Sequence, residues 1–269
     1  MKKIGLMAGW GDLPRAICIE ARKMGNSIFV VGLEPLADES LREHADEIEF
    51  ISVGKLGKVI KSFKNAGVKD VVLAGKVPKS LMYKSKIVPD LRAARFIMSL
   101  KDRKDDTILL ALSDELRKDG LSLLETTAFT EGIMADEGVM TSVKPKKHHM
   151  KDIEFGLPIA KGIGGMDIGQ SIVVKNKAVM AVEAIEGTDE AIIRGGELAG
   201  GDAVAIKVAK PGQDLRFDVP GIGKRTISSM SSAGVSVLAV EAGACIIIDK
   251  EDVLGKADEL GISIVGIKA

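Results

Sequence analysis

Aromatic residues are scarce in this chain: one tryptophan, one tyrosine and seven phenylalanines, 3% of 269 residues. Proteins that hold single-stranded nucleic acid stack bases on aromatic rings, so such a platform is excluded. Net charge is lacking too. Lysine plus arginine equals aspartate plus glutamate, 38 of each, whereas a nucleic-acid binder carries a basic surplus. No nucleic-acid partner is expected. Only two cysteines are present, Cys18 in an amphipathic helical stretch and Cys245 in an apolar strand. Both read as small core residues rather than a disulfide or thiol metal site. The first apolar run is short and broken by glycines, and no run reaches about 18 apolar residues, which predicts neither a signal peptide nor a membrane span. The expected location is the cytoplasm, with contact at a membrane surface left open. HExxH, Walker A, GxSxG and CxxC motifs are all absent.

What is present is a globular composition: 46% apolar and 28% charged residues, enough chain for one large domain or two modest ones. KIGLMA (3–8), SIFVVGL (27–33) and KDVVLAGKV (69–77) read as strands. Helical patterns at 14–25 and 55–67 lie between them, each closed by a glycine. Short apolar strands alternating with helices predict a parallel, Rossmann-like sheet covered on both faces. Residues 90–119 are largely helical, and LSLLETTAF reads as another strand. The polar, basic stretch 131–152 reads as a linker region. Beyond it, strands come in hairpins, with Lys175-Asn176-Lys177 as one turn, so a second α/β domain with a mixed sheet is expected. The division is 1–131 and 136–269.

Six stretches are candidates for chemistry. In GLMAGWGDLP (5–14), a glycine turn opening a helix can bring backbone N–H groups of Gly9, Gly11, Leu13 and Pro14's neighbours against a phosphate, or be no more than a tight turn. Gly5, Gly9 and Gly11 do not complete GxGxxG, which counts against a nicotinamide dinucleotide. AGKVP (74–78) lies at a strand's carboxyl end, where Gly75 and Lys76 are either ligand contacts or plain loop. Asp105 and Asp106 of KDRKDD suit a helix start better than a metal. KGIGGMDIGQS (161–171) is a glycine-rich loop around Asp167 and Gln170, in which Gln170 and Ser171 are good hydrogen-bonding partners for a sugar or base, or it is no more than a hairpin entry. In VEAIEGTD (182–189), Glu186 and Thr188 sit beside a glycine, and an N-cap role alone would explain Thr188. QDLRFDVPGIG (213–223) alternates strictly, with Asp214, Arg216 and Asp218 on one side of an extended chain. The two aspartates are about 13 Å apart at about 3.3 Å per residue, so they do not share one ion unless the strand bends. His44, His148 and His149 complete the inventory, the last two in the basic linker and expected to be solvated. Any metal used would be Mg²⁺ or Mn²⁺ rather than zinc, given many carboxylates and few thiols.

Taken in order, GLMAGWGDLP, AGKVP, KDRKDD, GMDIGQS, VEAIEGTD and Q-x-x-R-x-D-x-P-x-I-G resemble the LpxI family along nearly the whole chain. These are the UDP-2,3-diacylglucosamine pyrophosphatases of lipid A synthesis. The resemblance implies hydrolysis of UDP-2,3-diacylglucosamine to UMP and 2,3-diacylglucosamine 1-phosphate (lipid X), with a divalent cation. It also implies two domains and a homodimer, and leaves peripheral contact with the inner membrane open. It makes Asp218 the essential carboxylate, as metal ligand or general base, and Asp214 a supporting one. Arg216, Lys76 and Lys224 become candidates for charge neutralisation, and Gln213, Gln170, Ser171, Glu186 and Thr188 for substrate contacts. Trp10 and Asp12 depart from the compact first glycine turn of the family. The competing classes are a Rossmann-type oxidoreductase using NAD(P), and a non-catalytic carrier of a sugar nucleotide or lipid.

Overall fold

The computed structural model describes residues 2–78, 81, 87–102, 105–212 and 219–268, without the side chains of Asp105 and Asp106. The chain is α/β and divides into two compact units, one running to Thr130 and the other beginning at Glu131.

In the first unit, β1 (Lys3–Ala8), β2 (Ser27–Glu34), β3 (Glu47–Ser52), β4 (Asp70–Ala74) and β5 (Ser122–Leu123) form one sheet in the order β3-β2-β1-β4-β5. Every pairing is parallel. β3 is absent from the sequence reading. Its EIEFIS alternates charged and apolar residues, as suits a half-covered sheet edge rather than a central strand. LSLLETTAF is also shorter as a strand than expected: after β5 the chain enters a 3₁₀ turn at Thr126–Phe129. The period of two along β1 assigns its two faces. Ile4, Leu6 and Ala8 pack against Ile17 and Ala21 of α1 (Leu13–Lys23). Met7 packs with Ile60 and Phe63 of α2 (Leu56–Asn65). Asp90 begins α3 (Leu91–Ser99) by accepting from the Ala93 N–H at 2.7 Å, and its other oxygen accepts from Gly57 of α2 at 2.8 Å. α4 (Asp105–Arg117) completes this unit.

The second unit opens where the sequence suggested a linker, and that reading is corrected. Ala135 is 3% exposed in the core, and β6 (Gly138–Val139) pairs antiparallel with β13 (Ser263–Ile267). The polar composition of this stretch hides backbone pairing, which needs no apolar side chains. β7 (Ser171–Lys175), β8 (Ala178–Val182), β9 (Ala203–Lys207) and β11 (Val235–Glu241) complete a mixed sheet ordered β6-β13-β11-β9-β7-β8. β9, β11 and β13 run parallel, whereas β7 is antiparallel to both its neighbours. Asn176 and Lys177, at φ 51° and 57°, make the hairpin turn foreseen there. α5 (Lys147–Gly165) covers one face through Ile153, Ala160 and Ile163. It extends into the supposed glycine loop, so Gly162, Gly164 and Gly165 are helical. α6 (Thr188–Ala199), α7 (Lys224–Ser232) and α8 (Lys250–Glu259) contribute Ile192, Ile227 and Val253 to the core on the other face. β10 (Gly221–Ile222) and β12 (Ile246–Ile247) form a separate parallel pair.

Candidate active site

In the first unit, the loops after β1 and β4 lock onto each other. The Gly9 N–H donates to the Ala74 carbonyl at 2.8 Å, and Trp10 and Lys76 exchange backbone bonds of 3.0 and 2.8 Å. The approach is close enough to require glycine: a Cβ on Gly9 would lie 2.7 Å from the Lys76 carbonyl oxygen. Gly75 sits at φ +85°, and a Cβ there would lie 2.8 Å from the Gly9 carbonyl carbon. Two amides of the turn are thus engaged within the protein, and Pro14, buried near the start of α1, has none to offer. Outward, the turn presents Trp10 at 55% exposure, Gly11 at φ +108°, and Asp12, which occupies the N-cap of α1 without a side-chain cap bond. Lys76 is exposed.

The second unit gathers charge at the carboxyl ends of its parallel strands. β9 ends on Lys207, 6% exposed, and the adjacent strand places Ser171 opposite it. The Lys207 Nζ donates to Thr188 Oγ1 at 2.6 Å, and that hydroxyl donates to Glu183 Oε1 at 2.9 Å. Ser171 Oγ lies 3.5 Å from the same hydroxyl, and Glu183 Oε2 accepts from the Gln170 N–H at 3.3 Å. Gly169 makes this possible: a Cβ there would lie 2.1 Å from the Glu183 carbonyl oxygen. The N-cap role expected of Thr188 is therefore corrected. Gly187 is the N-cap, at φ +88°, and Thr188 is the first helical residue with its hydroxyl turned to Glu183 and Lys207. One strand over, β11 ends on Glu241, which chelates Lys161 Nζ with both oxygens at 2.7 Å and accepts from the Ala209 N–H at 2.8 Å.

Of the expected contacts, Gln170, Ser171 and Thr188 come together. Glu186 turns to Arg194 at 2.5 Å and Asp167, at φ 57°, to Lys210 at 2.5 Å. Lys224 pairs with Asp252 at 2.7 Å. Gln213, Asp214, Arg216 and Asp218 lie outside the described residues. Lys207, Glu241 and Lys161 are additions to the sequence reading. For Lys207 and Glu241 the signal was a charged residue closing an otherwise apolar strand, in AVAIK and VLAVE, whereas Lys161 lies within α5.

Both cysteines are buried, and desolvation pushes Cys18 up to about 12 and Cys245 up to about 11, so neither offers a thiolate nucleophile. Of the histidine pair, His148 is exposed as expected and His149 is not. His149, at the start of α5, is 2% exposed. Its Nδ1 accepts from the Lys146 N–H at 3.2 Å, and its Nε2 lies 3.0 Å from Asp202 Oδ1. His148 Nε2 approaches the other oxygen at 3.2 Å. These are the one group of three ligating side chains that converge among the described residues, within 4.8 Å. The hydrogen bonding does not favour a metal. With Nδ1 accepting, the neutral His149 ring carries its proton on Nε2 and donates it to Asp202, on the nitrogen an ion would need. Burial foremost pushes the His149 imidazole below 6.5, against the pull of Asp202. Burial pushes the Asp202 carboxyl up, but His149, Ser236 and Lys146 outweigh it and hold it at about 2.

Family comparisons cover both units. The LpxI N-terminal domain matches residues 3–133 and the LpxI C-terminal domain residues 136–265. The chain belongs to the LpxI family. A curated relative, the UDP-2,3-diacylglucosamine pyrophosphatase LpxI of Caulobacter vibrioides, is 34% identical over 280 aligned positions, covering 99% of this chain and 98% of the relative. Solved structures match more distantly. A UDP-glucose-4-epimerase from Stenotrophomonas maltophila with bound NAD has a TM-score of 0.29 at 11% identity, over 45% of this chain and 34% of its own. The Bordetella bronchiseptica enzyme WbmG, in complex with NAD and UDP, has 0.29 at 17% identity, over 44% and 34%. This chain spans about a third of the length of either. Among the described residues of this LpxI-family chain, no helix is long and apolar enough to cross a membrane.

Proposed function

We propose that this chain is a UDP-2,3-diacylglucosamine pyrophosphatase of lipid A synthesis, acting in the cytoplasm as a homodimer at the inner-membrane surface. Water adds its oxygen to the β-phosphorus, the bond to the bridging oxygen breaks, and UMP leaves. The other product is 2,3-diacylglucosamine 1-phosphate, lipid X. The observation that carries the proposal is the family match along both halves, with 34% identity over 99% of the chain to a relative of that name. The second unit, 136–269 in the sequence division, is proposed to be catalytic because it contains Asp218.

Asp218 is assigned to take the proton of the water or to hold a divalent cation, with Asp214 supporting it and Arg216 neutralising phosphate charge. Mg²⁺ or Mn²⁺, when bound, supplies charge neutralisation on the pyrophosphate. Carboxylates suit such hard ions, but among the described ones at this edge Glu183 and Glu241 are engaged with Thr188 and Lys161. The proposed ligation therefore rests on Asp218. Gln170, Ser171 and Thr188 are assigned to the substrate's polar groups, as are Gln213, Asp167 and Glu186. Gly9, Gly11, Leu13, Pro14, Gly75 and Lys76 are assigned to its nucleotide.

The test is UMP release from UDP-2,3-diacylglucosamine with and without Mg²⁺. The wild-type protein should release UMP only with the ion, and Asp218→Ala should lose about 10³-fold or more in kcat. A folded wild-type protein that releases no UMP with either ion would sink the proposal, and full activity in Asp218→Ala would sink that residue's role.

A further inference from the structure

A lysine that is buried without a counter-charge among the described residues asks for an explanation. Lys207 is 6% exposed, in a strand whose residues are all buried. Among the described residues the one hydrogen-bond partner of its ammonium is the neutral hydroxyl of Thr188, at 2.6 Å, and no carboxylate forms an ion pair with it. An ammonium has three N–H donors. Taking its charge out of water is unfavourable unless an anion and further acceptors compensate. The strand itself does not need it, since Ala203 and Ala205, which share its face, lie in the core.

The contrast with Lys161 is instructive. That lysine, also at this strand edge, is compensated by both oxygens of Glu241. Glu183 could have served Lys207 in the same way. Instead its oxygens are held by the Thr188 hydroxyl and the Gln170 N–H, with Thr188 standing between carboxylate and ammonium. A second unmet group lies beside them: Gln170 Oε1 is buried with no hydrogen-bond partner among the described residues. Gln170 is joined to the strand end by the Val208 N–H, which donates to its carbonyl at 3.0 Å.

We infer that Lys207 is the cationic anchor of a phosphoryl subsite, in which a phosphate oxygen accepts from its ammonium beside Ser171 and Thr188. Gln170 Oε1 accepts from a hydroxyl or amide of the same ligand. The ligand class is a phosphorylated compound carrying such a donor. The proposed pyrophosphatase activity is used only to name the substrate, and makes Lys207 a binding and charge-neutralising residue for it.

Lys207→Met keeps the length of the side chain and removes its charge, while Lys207→Arg keeps the charge. Inorganic pyrophosphate is titrated into each full-length protein at fixed ionic strength by calorimetry. Lys207→Met should bind about tenfold or more weaker than wild type, with Lys207→Arg between them. Turnover of UDP-2,3-diacylglucosamine should fall about 100-fold in kcat/KM for Lys207→Met. The melting temperature of Lys207→Met should equal or exceed that of wild type, because an uncompensated buried charge has been replaced by an apolar group. Equal pyrophosphate affinity in wild type and Lys207→Met, or no binding by wild type, would overturn the subsite. So would a strongly lowered melting temperature, which marks a structural lysine. If wild type binds pyrophosphate through Lys207 but releases no UMP, the subsite stands and the pyrophosphatase proposal fails.

Discussion

The two units finish their parallel strands differently. At the edge of the first, the loops after β1 and β4 are fastened by backbone bonds between Gly9 and Ala74 and between Trp10 and Lys76, with glycines where the chains touch. At the edge of the second, β9 and β11 end on Lys207 and Glu241, and side chains do the fastening. Backbone closure gives a rigid shape with few groups able to change charge. Side-chain closure concentrates cations and carboxylates in a partly dry place, where each interaction is stronger than in water. The comparison assigns shape to the first edge and charge chemistry to the second.

The sharpest way to break it is to disturb the tightest approach in each. Gly169→Ala and Gly9→Ala place a Cβ 2.1 and 2.7 Å from a carbonyl oxygen. Each should cost about 2–4 kcal/mol in denaturant unfolding, Gly169→Ala the more. A neutral result at Gly9 would mean that the first edge yields, and the distinction would be lost.

Next in size is Glu241→Gln, which leaves Lys161 without its carboxylate. About 1.5–3 kcal/mol of stability should go, read from the same unfolding curves. An unchanged midpoint would show the pair to be solvated and the second edge no more charge-dependent than the first.

The pH dependence should also be lodged in the second unit. His149 is held neutral below the ordinary 6.5, so as pH falls through 6.5 the unfolded chain takes up a proton first. Stability is full above that pH and declines below it. Asp202, held at about 2 against 3.8, adds a further loss as pH falls from 3.8 towards 2. Thermal melts between pH 7.5 and 5.5 should show the first decline, and His149→Gln should flatten it. A slope left intact in His149→Gln would show that this imidazole is not its source.

The smallest expected effect is that of Lys76→Ala. An exposed loop lysine at the first edge should lower kcat/KM by less than about tenfold and leave stability within about 0.5 kcal/mol. A loss as large as that expected at Lys207 would place charge chemistry at both edges.

Much of the fold was legible because local rules agreed with it. Gly25, Gly67 and Gly234, at φ +77°, +73° and +67°, follow helices α1, α2 and α7, as helix-ending glycines do. β3 was not legible, because its alternating glutamates satisfy a surface pattern as well as an edge strand. Residues 131–140 were not legible because backbone pairing with β13 leaves little mark in composition. In the site, DIGQS and VEAIEGTD were picked out by their glycines and hydroxyls, and Gln170, Ser171 and Thr188 do meet. Lys207 carries no local signal beyond a charge at the end of an apolar strand, and the cap that would explain Thr188 is made by Gly187 instead.

By itself, the sequence determined the α/β class, the parallel first sheet, the mixed second sheet and the family, because these follow from periodicity, glycine placement and ordered motifs. Only the tertiary structure decided which charges are compensated. Lys161 and Lys207 are both lysines near a strand edge, 46 positions apart in one chain. A carboxylate reaches the first, and a hydroxyl stands before the second. Desolvation and distance act through space, so no reading along the chain distinguishes the two.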